Sequence, residues 1–403
     1  MEEAPLELPG VESILIQSAD VGWETDLPTL PKIVDLFEGA ERALEQGKFG
    51  EVANLADEIA SQTLQPSQEM RLQYLRGRLF SDLQDYDQAY AFYEMALDIA
   101  DQHNDLDSQI LLTAMAGEVL YGKMRNREAL LYFREALAMW RIRASRRQIQ
   151  RVEPEVKIRE MMGRLLWLLG ESEEASGALA QAATTALRRR DTRYSPFLRD
   201  VAAYALWTLM LTFRARSDML NGDVGYLHAS LRRGRASIKL FESVGTSAVN
   251  MARLYIQIAE IYLDLAELHT LRGATAAARS TRKQAHDHAT YANELLHLST
   301  DRWAVQLAEL TLLRHDIQTH SPLDAIRTLS DIEARLLAIE RAAADFQDRI
   351  LSAKSATLRA EWLLQFDDKD AARQALLLAL KGFHGNGVGM ATRAHRLLRR
   401  MIT

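Results

Sequence analysis

MRLQYLRGRLFSDLQDYDQAYAFYEMALDIAD, residues Met70 to Asp101, decides the fold. It reads as two helical runs that meet at a turn around Asp85. Gly77 on the first run, and Ala89 and Ala96 on the second, are small enough to let a neighbouring helix approach closely. Phe80, Tyr86 and Tyr93 are the large side chains that fill the space so created.

The same two-helix pattern recurs on either side. A first unit runs from about 32 to 65, turning at Gly47-Lys48-Phe49. A third, Ile110 to about Arg141, carries Gly117, Ala129, Phe133 and Ala136 in matching places. Pro154 opens a fourth with Gly163, Ala175, Leu179 and Ala182. The fifth, 196–244, is looser and is broken at Asn221-Gly222, between an expected helix from Asp200 to Met219 and a second from Val224 to Ser243. The sixth has Tyr262, Ala266, Gly273, Ala278 and Ala285; the seventh turns at His320-Ser321-Pro322; the eighth has Ala360, Asp367, Ala372 and Ala379. Residues 1–31 hold Pro5, Pro9, Pro28 and Pro31 and are expected as an irregular arm packed over the first unit. Gly385 to Gly389 is a glycine-rich hinge before a terminal helix, Met390 to Met401, expected to be a solvating cap.

These residues and spacings resemble the tetratricopeptide repeat, a helix–turn–helix unit that stacks on its neighbours. The resemblance implies an all-α, right-handed α-solenoid of about eight hairpins, with repeats one to four in 32–195, repeats five to eight in 196–382, and hinge and cap in 383–403. Gly77 to Gly117 spans 40 residues, against about 34 in the standard unit. That length is more similar to the arrays of bacterial sensor-regulators and kinesin light chains than to short co-chaperone modules. Composition points to the same class. Hydrophobic residues make up 48%, there are only 8 prolines, and no alternating run of Val, Ile or Thr is long enough for a sheet.

In such proteins the first helix of each repeat lines a concave groove. Carried over residue by residue, the groove positions are Arg71, Tyr74, Arg78 and Asp82 in repeat two and Leu111, Ala114, Glu118 and Tyr121 in repeat three. Repeat four adds Lys157, Glu160, Arg164 and Trp167. Exposed Tyr, Trp and Arg anchor bound segments well, because each offers a large contact area with a polar handle. The competing reading makes these residues inter-helix salt bridges, Arg78 with Glu118 and Glu160 with Lys157 or Arg164. Co-chaperones of this fold hold a C-terminal carboxylate with Lys and Asn on successive first helices; the matching face here has no Asn in repeats one to four.

Net charge is −6 with a pI near 6.0, which argues against nucleic acid as the main ligand. Four basic clusters, Arg141–Arg151, Arg188–Arg190, Arg232–Arg235 and Arg393–Arg400, are read as solvated helix ends. Zero Cys excludes a disulfide framework, a thiolate nucleophile and a Cys-based metal site, and is compatible with a reducing cytoplasm. The acidic start MEEAPLELPGVES lacks the regions of a signal peptide, and no apolar run is long enough to span a membrane. His286 and His288 point to different sides of a helix and cannot easily share a metal ion. No catalytic constellation, metal or cofactor is expected. The sequence reading is therefore a cytoplasmic, non-catalytic scaffold or adaptor whose partner is another protein or peptide, with homo-oligomerisation open and no membrane. The alternatives are a regulatory sensor subunit for a peptide or small ligand, and a nucleic-acid-binding solenoid using the arginine clusters.

Overall fold

The computed structural model describes residues 31–146, 152–188, 195–220, 222–297, 299, 301–319, 322–384 and 389–402. The N-terminal arm, most of the basic insert after Arg146, the seventh turn and the glycine-rich hinge fall outside these residues. The described residues form seventeen α-helices and no strand. Among them no helix is long and apolar enough to cross a membrane. The fold is an all-α helical repeat of the solenoid class.

Cα packing separates two compact units, which divide between Met162 and Gly163, inside α7 and ahead of the 195/196 boundary that the repeat count suggests. The first unit holds α1 (Pro31–Glu45), α2 (Phe49–Ala60), α3 (Pro66–Asp82), α4 (Tyr86–Gln102), α5 (Leu106–Gly122), α6 (Asn126–Arg146) and the start of α7 (Glu153–Leu169). The second continues with α8 (Ser172–Arg188), α9 (Ser195–Met219), α10 (Val224–Val244), α11 (Ala248–Leu271) and α12 (Thr275–Leu296). It ends with α13 (Arg302–Thr319), α14 (Pro322–Asp345), α15 (Arg349–Gln365), α16 (Lys369–Phe383) and α17 (Thr392–Ile402). Consecutive helices pair as hairpins, and α11 packs on α13, and α13 on α15, as the first helices of successive repeats.

The hairpins of α3–α4, α5–α6 and α7–α8 are each locked by one small residue against one large one. A Cβ on Gly77 would lie 2.6 Å from the Tyr93 ring, one on Gly117 3.2 Å from Phe133, and one on Gly163 2.4 Å from Leu179. The large partner stands sixteen residues after the glycine in all three. Tyr93 in turn packs against Tyr74, with ring centroids 6.1 Å apart. The loose fifth repeat obeys the same rule with different residues: Ser230, Gly234 and Ser237 form the small face of α10. A Cβ on Gly234 would lie 2.6 Å from the Met210 sulfur. Ser230 and Ser237 donate to the Met210 and Ala203 carbonyls of α9 at 2.6 and 2.8 Å. Serine replaces the expected alanine, satisfying its own hydroxyl on the neighbouring helix.

The turns share one device. A residue in the left-handed region stops the first helix, and an Asp caps the second. Gln84 (φ 61°) precedes Asp85, Asn104 (φ 52°) precedes Asp105, and Gln347 (φ 54°) precedes Asp348. Asp85 accepts from the Gln88 amide, Asp105 from Ser108 and Asp348 from Leu351. Each cap satisfies a helix-start donor that would otherwise be unpaired.

Gly77→Ala gains helix propensity worth about 1 kcal/mol, but overpacks Tyr93 at a typical cost of about 1–3 kcal/mol. Urea unfolding followed by circular dichroism is expected to show a lower midpoint for this variant, with Tyr93→Leu in the same background restoring part of it.

Candidate functional site

Within the unit 163–403 the first helices α9, α11, α13 and α15 wall a cleft of about 1030 Å³, open solvent at its mouth included. The lining residues follow one helical spacing on every wall. On α9 they are Trp207, Leu211, Arg214 and Asp218; on α13, Trp303, Leu307, Leu310 and Arg314. On α11, Arg253, Gln257 and Glu260 line the cleft, and Asp264 and Glu267 continue the same stripe; on α15 it is Lys354, Leu358 and Glu361. Steps of four and three residues keep a stripe on one helix face. The aromatic end of each stripe on α9 and α13 comes first and the charged end follows, so the cleft has an apolar side and an ionic side.

The ionic side centres on Asp264, which is 0% exposed. It accepts from Arg214 of α9 at 2.7 Å, from Arg314 of α13 at 2.6 Å and from Arg393 of α17. Glu361 bridges Arg314 and Arg393. Glu267 takes Arg393 and Arg396, each at 3.2 Å, together with Arg400. Asp218 forms a 2.8 Å ion pair with Arg396 and accepts from the Thr392 hydroxyl at 3.1 Å. Arg399 donates to the Asp218 carbonyl at 2.8 Å. Helix α17 is thereby tied to α9, α11 and α15, while its Ala394 and Leu397, with Ala391 just before it, pack into the α15–α16 core.

This placement corrects two expectations. The terminal helix is not a solvating cap, and Arg393–Arg400 is not a solvated helix end: Arg396 is 0% exposed. Because Arg393, Arg396 and Arg400 are consumed by carboxylates and Arg399 is engaged by the Asp218 carbonyl, they offer no continuous phosphate-binding track.

Burial alone would raise the carboxyls of Asp218, Glu260, Asp264 and Glu267, but the arginines reverse it for the last three. Arg214, Lys354 and Arg314 pull Glu260 down to about 2 against its desolvation. Arg393, Arg396 and Arg400 do the same for Glu267, also about 2. Asp264, facing four guanidinium groups, is held well below the ordinary carboxylate range. At Asp218 burial wins over Arg396 and the carboxyl is raised.

The residues expected to line a groove lie in other surroundings. Tyr74 (1% exposed) and Tyr121 (4%) are buried rather than exposed anchors, because each is core to its own helix pair. Burial, with Glu118 and Glu41 nearby and only partly offset by Arg78, pushes the Tyr74 phenol up to about 12. Arg78, Lys157, Glu160 and Arg164 are buried as well, while Asp82 and Glu118 are partly buried. Lys157 pairs with Glu160 at 3.4 Å within α7, three residues apart, and not between stacked helices as the salt-bridge reading has it. Arg71 is held by Glu41 at 2.8 Å and lies 4.6 Å from the Phe37 ring centroid. Arg164 and Trp167 belong to the second unit: Arg164 lies over the Tyr204 ring at 5.7 Å, and Trp167 lines the cleft. His288 stacks on Tyr255 and Tyr262, and among the described residues no group of three His, Asp or Glu could hold a metal. The missed cleft residues were legible in principle, since the four-and-three spacing that selects 71, 74 and 78 also selects 207, 211 and 214.

Fold and site together define a tetratricopeptide-type helical repeat whose later first helices form a lined cleft. No protein-family model matches the chain, and no curated relative does. Among solved structures it is similar to the apo form of the quorum sensor NprR from B. thuringiensis, at 12% identity over 88% of this chain and 89% of that one, with a TM-score of 0.58. Aspartyl phosphate phosphatase F from Bacillus subtilis is similar at 13% identity over 90% and 96%, TM-score 0.54. A Rap protein complexed with Competence and Sporulation Factor is similar at 10% identity over 92% and 96%, TM-score 0.50. At such identities the likeness is one of fold.

Removing one partner of a buried ion pair typically costs about 3–5 kcal/mol. Asp264→Asn is therefore expected to lower the thermal midpoint sharply at pH 7 and to expose 389–402 to hydrogen exchange. Glu260 and Glu267 titrate below their unfolded range, so their stabilisation is complete above about pH 4.5 and disappears as pH falls toward 2. Thermal midpoints measured between pH 7 and 2.5 should be flat at first and then drop, with a shallower drop in Glu267→Gln.

Proposed function

We propose that this protein is a non-catalytic scaffold or adaptor that holds a peptide segment or partner helix in the cleft of α9, α11, α13 and α15. One observation carries the reading: four successive first helices present stripes at the same four-and-three spacing to one cleft, with Trp207, Leu211, Trp303, Leu307 and Leu310 as apolar lining and charged residues from all four helices beside them. An extended or helical segment can lay apolar anchors on Trp303 and Leu211, the partly exposed apolar lining, while its polar groups meet the ionic side. A stack of hairpins holds these groups in place beforehand, so little order is lost on docking.

Two further points support a binding role over a chemical one. The Glu260 carboxyl is held ionised far below neutral pH, which suits a charge anchor and not a general acid or base working near pH 7. The fold is shared with a quorum sensor and with a Rap protein complexed with Competence and Sporulation Factor; another of the similar structures is named a phosphatase. The reading places the protein in the cytoplasm.

A regulatory sensor is the second reading, favoured by the Asp264 cluster. Arginines from three helices converge on one carboxylate, so an occupant that engages Arg314 or Arg393 competes with the contacts that hold α17.

Trp303→Ala combined with Leu211→Glu, both at partly exposed lining positions, tests the cleft. With helical content unchanged by circular dichroism, this variant is expected to lose at least tenfold in affinity for a peptide that the unaltered protein binds, measured by calorimetry. Undiminished affinity removes the cleft assignment. Under the sensor reading the same peptide also raises hydrogen exchange in α17; unchanged exchange at saturation removes that reading alone.

A further inference from the structure

The cleft is lined by five cations, Arg214, Arg253, Arg314, Lys354 and Arg393, against three carboxylates. Four of the five are matched. Arg214 holds Glu260 and Asp264, and Arg314 holds Asp264 and Glu361. Arg393 holds Asp264, Glu267 and Glu361, and Arg253 pairs with Asp301 outside the cleft lining. Lys354 stands apart. It is partly buried one turn into α15, and no hydrogen bond or ion pair engages its ammonium among the described residues. Glu260 acts on it electrostatically but is taken by Arg214.

The ammonium lines the open cleft with no carboxylate bonded to it, so an anion that docks there gains a charge-assisted hydrogen bond. Burial already pulls the Lys354 pKa down, the mark of an under-solvated cation. The same lining carries partly exposed Trp303 with Leu307 and Leu310 on the neighbouring α13, and Leu358 stands one turn further along α15. A cleft with an apolar lining and one cation that no carboxylate engages directly has the make-up of a ligand site.

We propose that Lys354 is the anion anchor of the cleft, taking the carboxylate of an occupant whose apolar body rests on the Trp303–Leu307–Leu310 face. This rests on the cleft being a binding site. The carboxylate has two sources, the free C-terminus of a peptide or a small apolar carboxylic acid, and the chemistry at Lys354 is the same for both. The partnered arginines are already committed, so they add field and not a vacant bond.

Calorimetry on the full chain with four probes tests this. N-acetyl-Leu-Phe-Leu with a free C-terminus is compared with its amide, and 4-phenylbutyrate with 4-phenylbutanamide. Hydrogen bonds to charged partners are the stronger class, so each acid that binds is expected to do so about tenfold tighter than its amide. That preference should vanish in Lys354→Met and persist in Lys354→Arg. Methionine keeps the volume and removes the unpaired charge, so the Lys354→Met unfolding midpoint should be unchanged or higher, separating loss of binding from loss of fold. Preference by the peptide acid alone, or by phenylbutyrate alone, supports the anchor and identifies the source. Acid and amide binding alike, or an acid preference that survives in Lys354→Met, overturns the anchor while leaving the cleft a binding site. Saturable binding by none of the four overturns both.

Discussion

Asp264 sits where an isolated charge could not stay. A carboxylate with no exposed surface loses its hydration, at an effective cost of several kcal/mol. It stays ionised because guanidinium groups from α9, α13 and α17 converge on its two oxygens. Each of those arginines then needs its own balance, which Glu260, Glu361 and Glu267 supply. With Asp218 and the Arg396–Arg400 end of α17 included, five carboxylates face five arginines. Near-neutrality makes the buried network tolerable, and its geometry leaves each member one place to be. The position of α17, and hence the ionic wall of the cleft, follows from that constraint.

The apolar wall depends on a different and older kind of rule, helix packing by size. A glycine or serine on one helix and a ring or branched chain on the next set how closely the two approach. In the first unit these pairs consume the aromatic residues: Tyr74 and Tyr93 are spent on holding α3 to α4. In the second, Trp207 is spent within its hairpin, against Tyr204 and Phe241, yet Trp303 is left partly exposed at the cleft. The difference explains why anchors proposed on α3 and α5 are core residues while the lined cleft lies further along the chain.

Helix pairing was readable because its signals are local. Two runs at helical spacing, a small residue in each, and a left-handed turn residue before an Asp all lie within about forty residues. Repeat five looked degenerate only because Ser230 and Ser237 stand where alanine was expected, and a hydroxyl can serve as a small residue once it finds a carbonyl on the neighbouring helix. The stripe 207, 211, 214, 218 was equally open to reading. Spacing alone, however, could not tell it from a buried stripe such as 71, 74, 78, since the two differ only in what packs against them.

The amino-acid sequence by itself determined the all-α class, the hairpin repeat, most helix limits and the small–large pairs, because each depends on residues close together in the chain. Only the tertiary structure decided which stripe faces an open cleft, and that Arg393 and Arg396 turn inward to Asp264 rather than outward to water. Those two arginines lie 129 and 132 residues from that carboxylate. A charge's fate rests on the charges brought beside it after folding, and no local spacing carries that information.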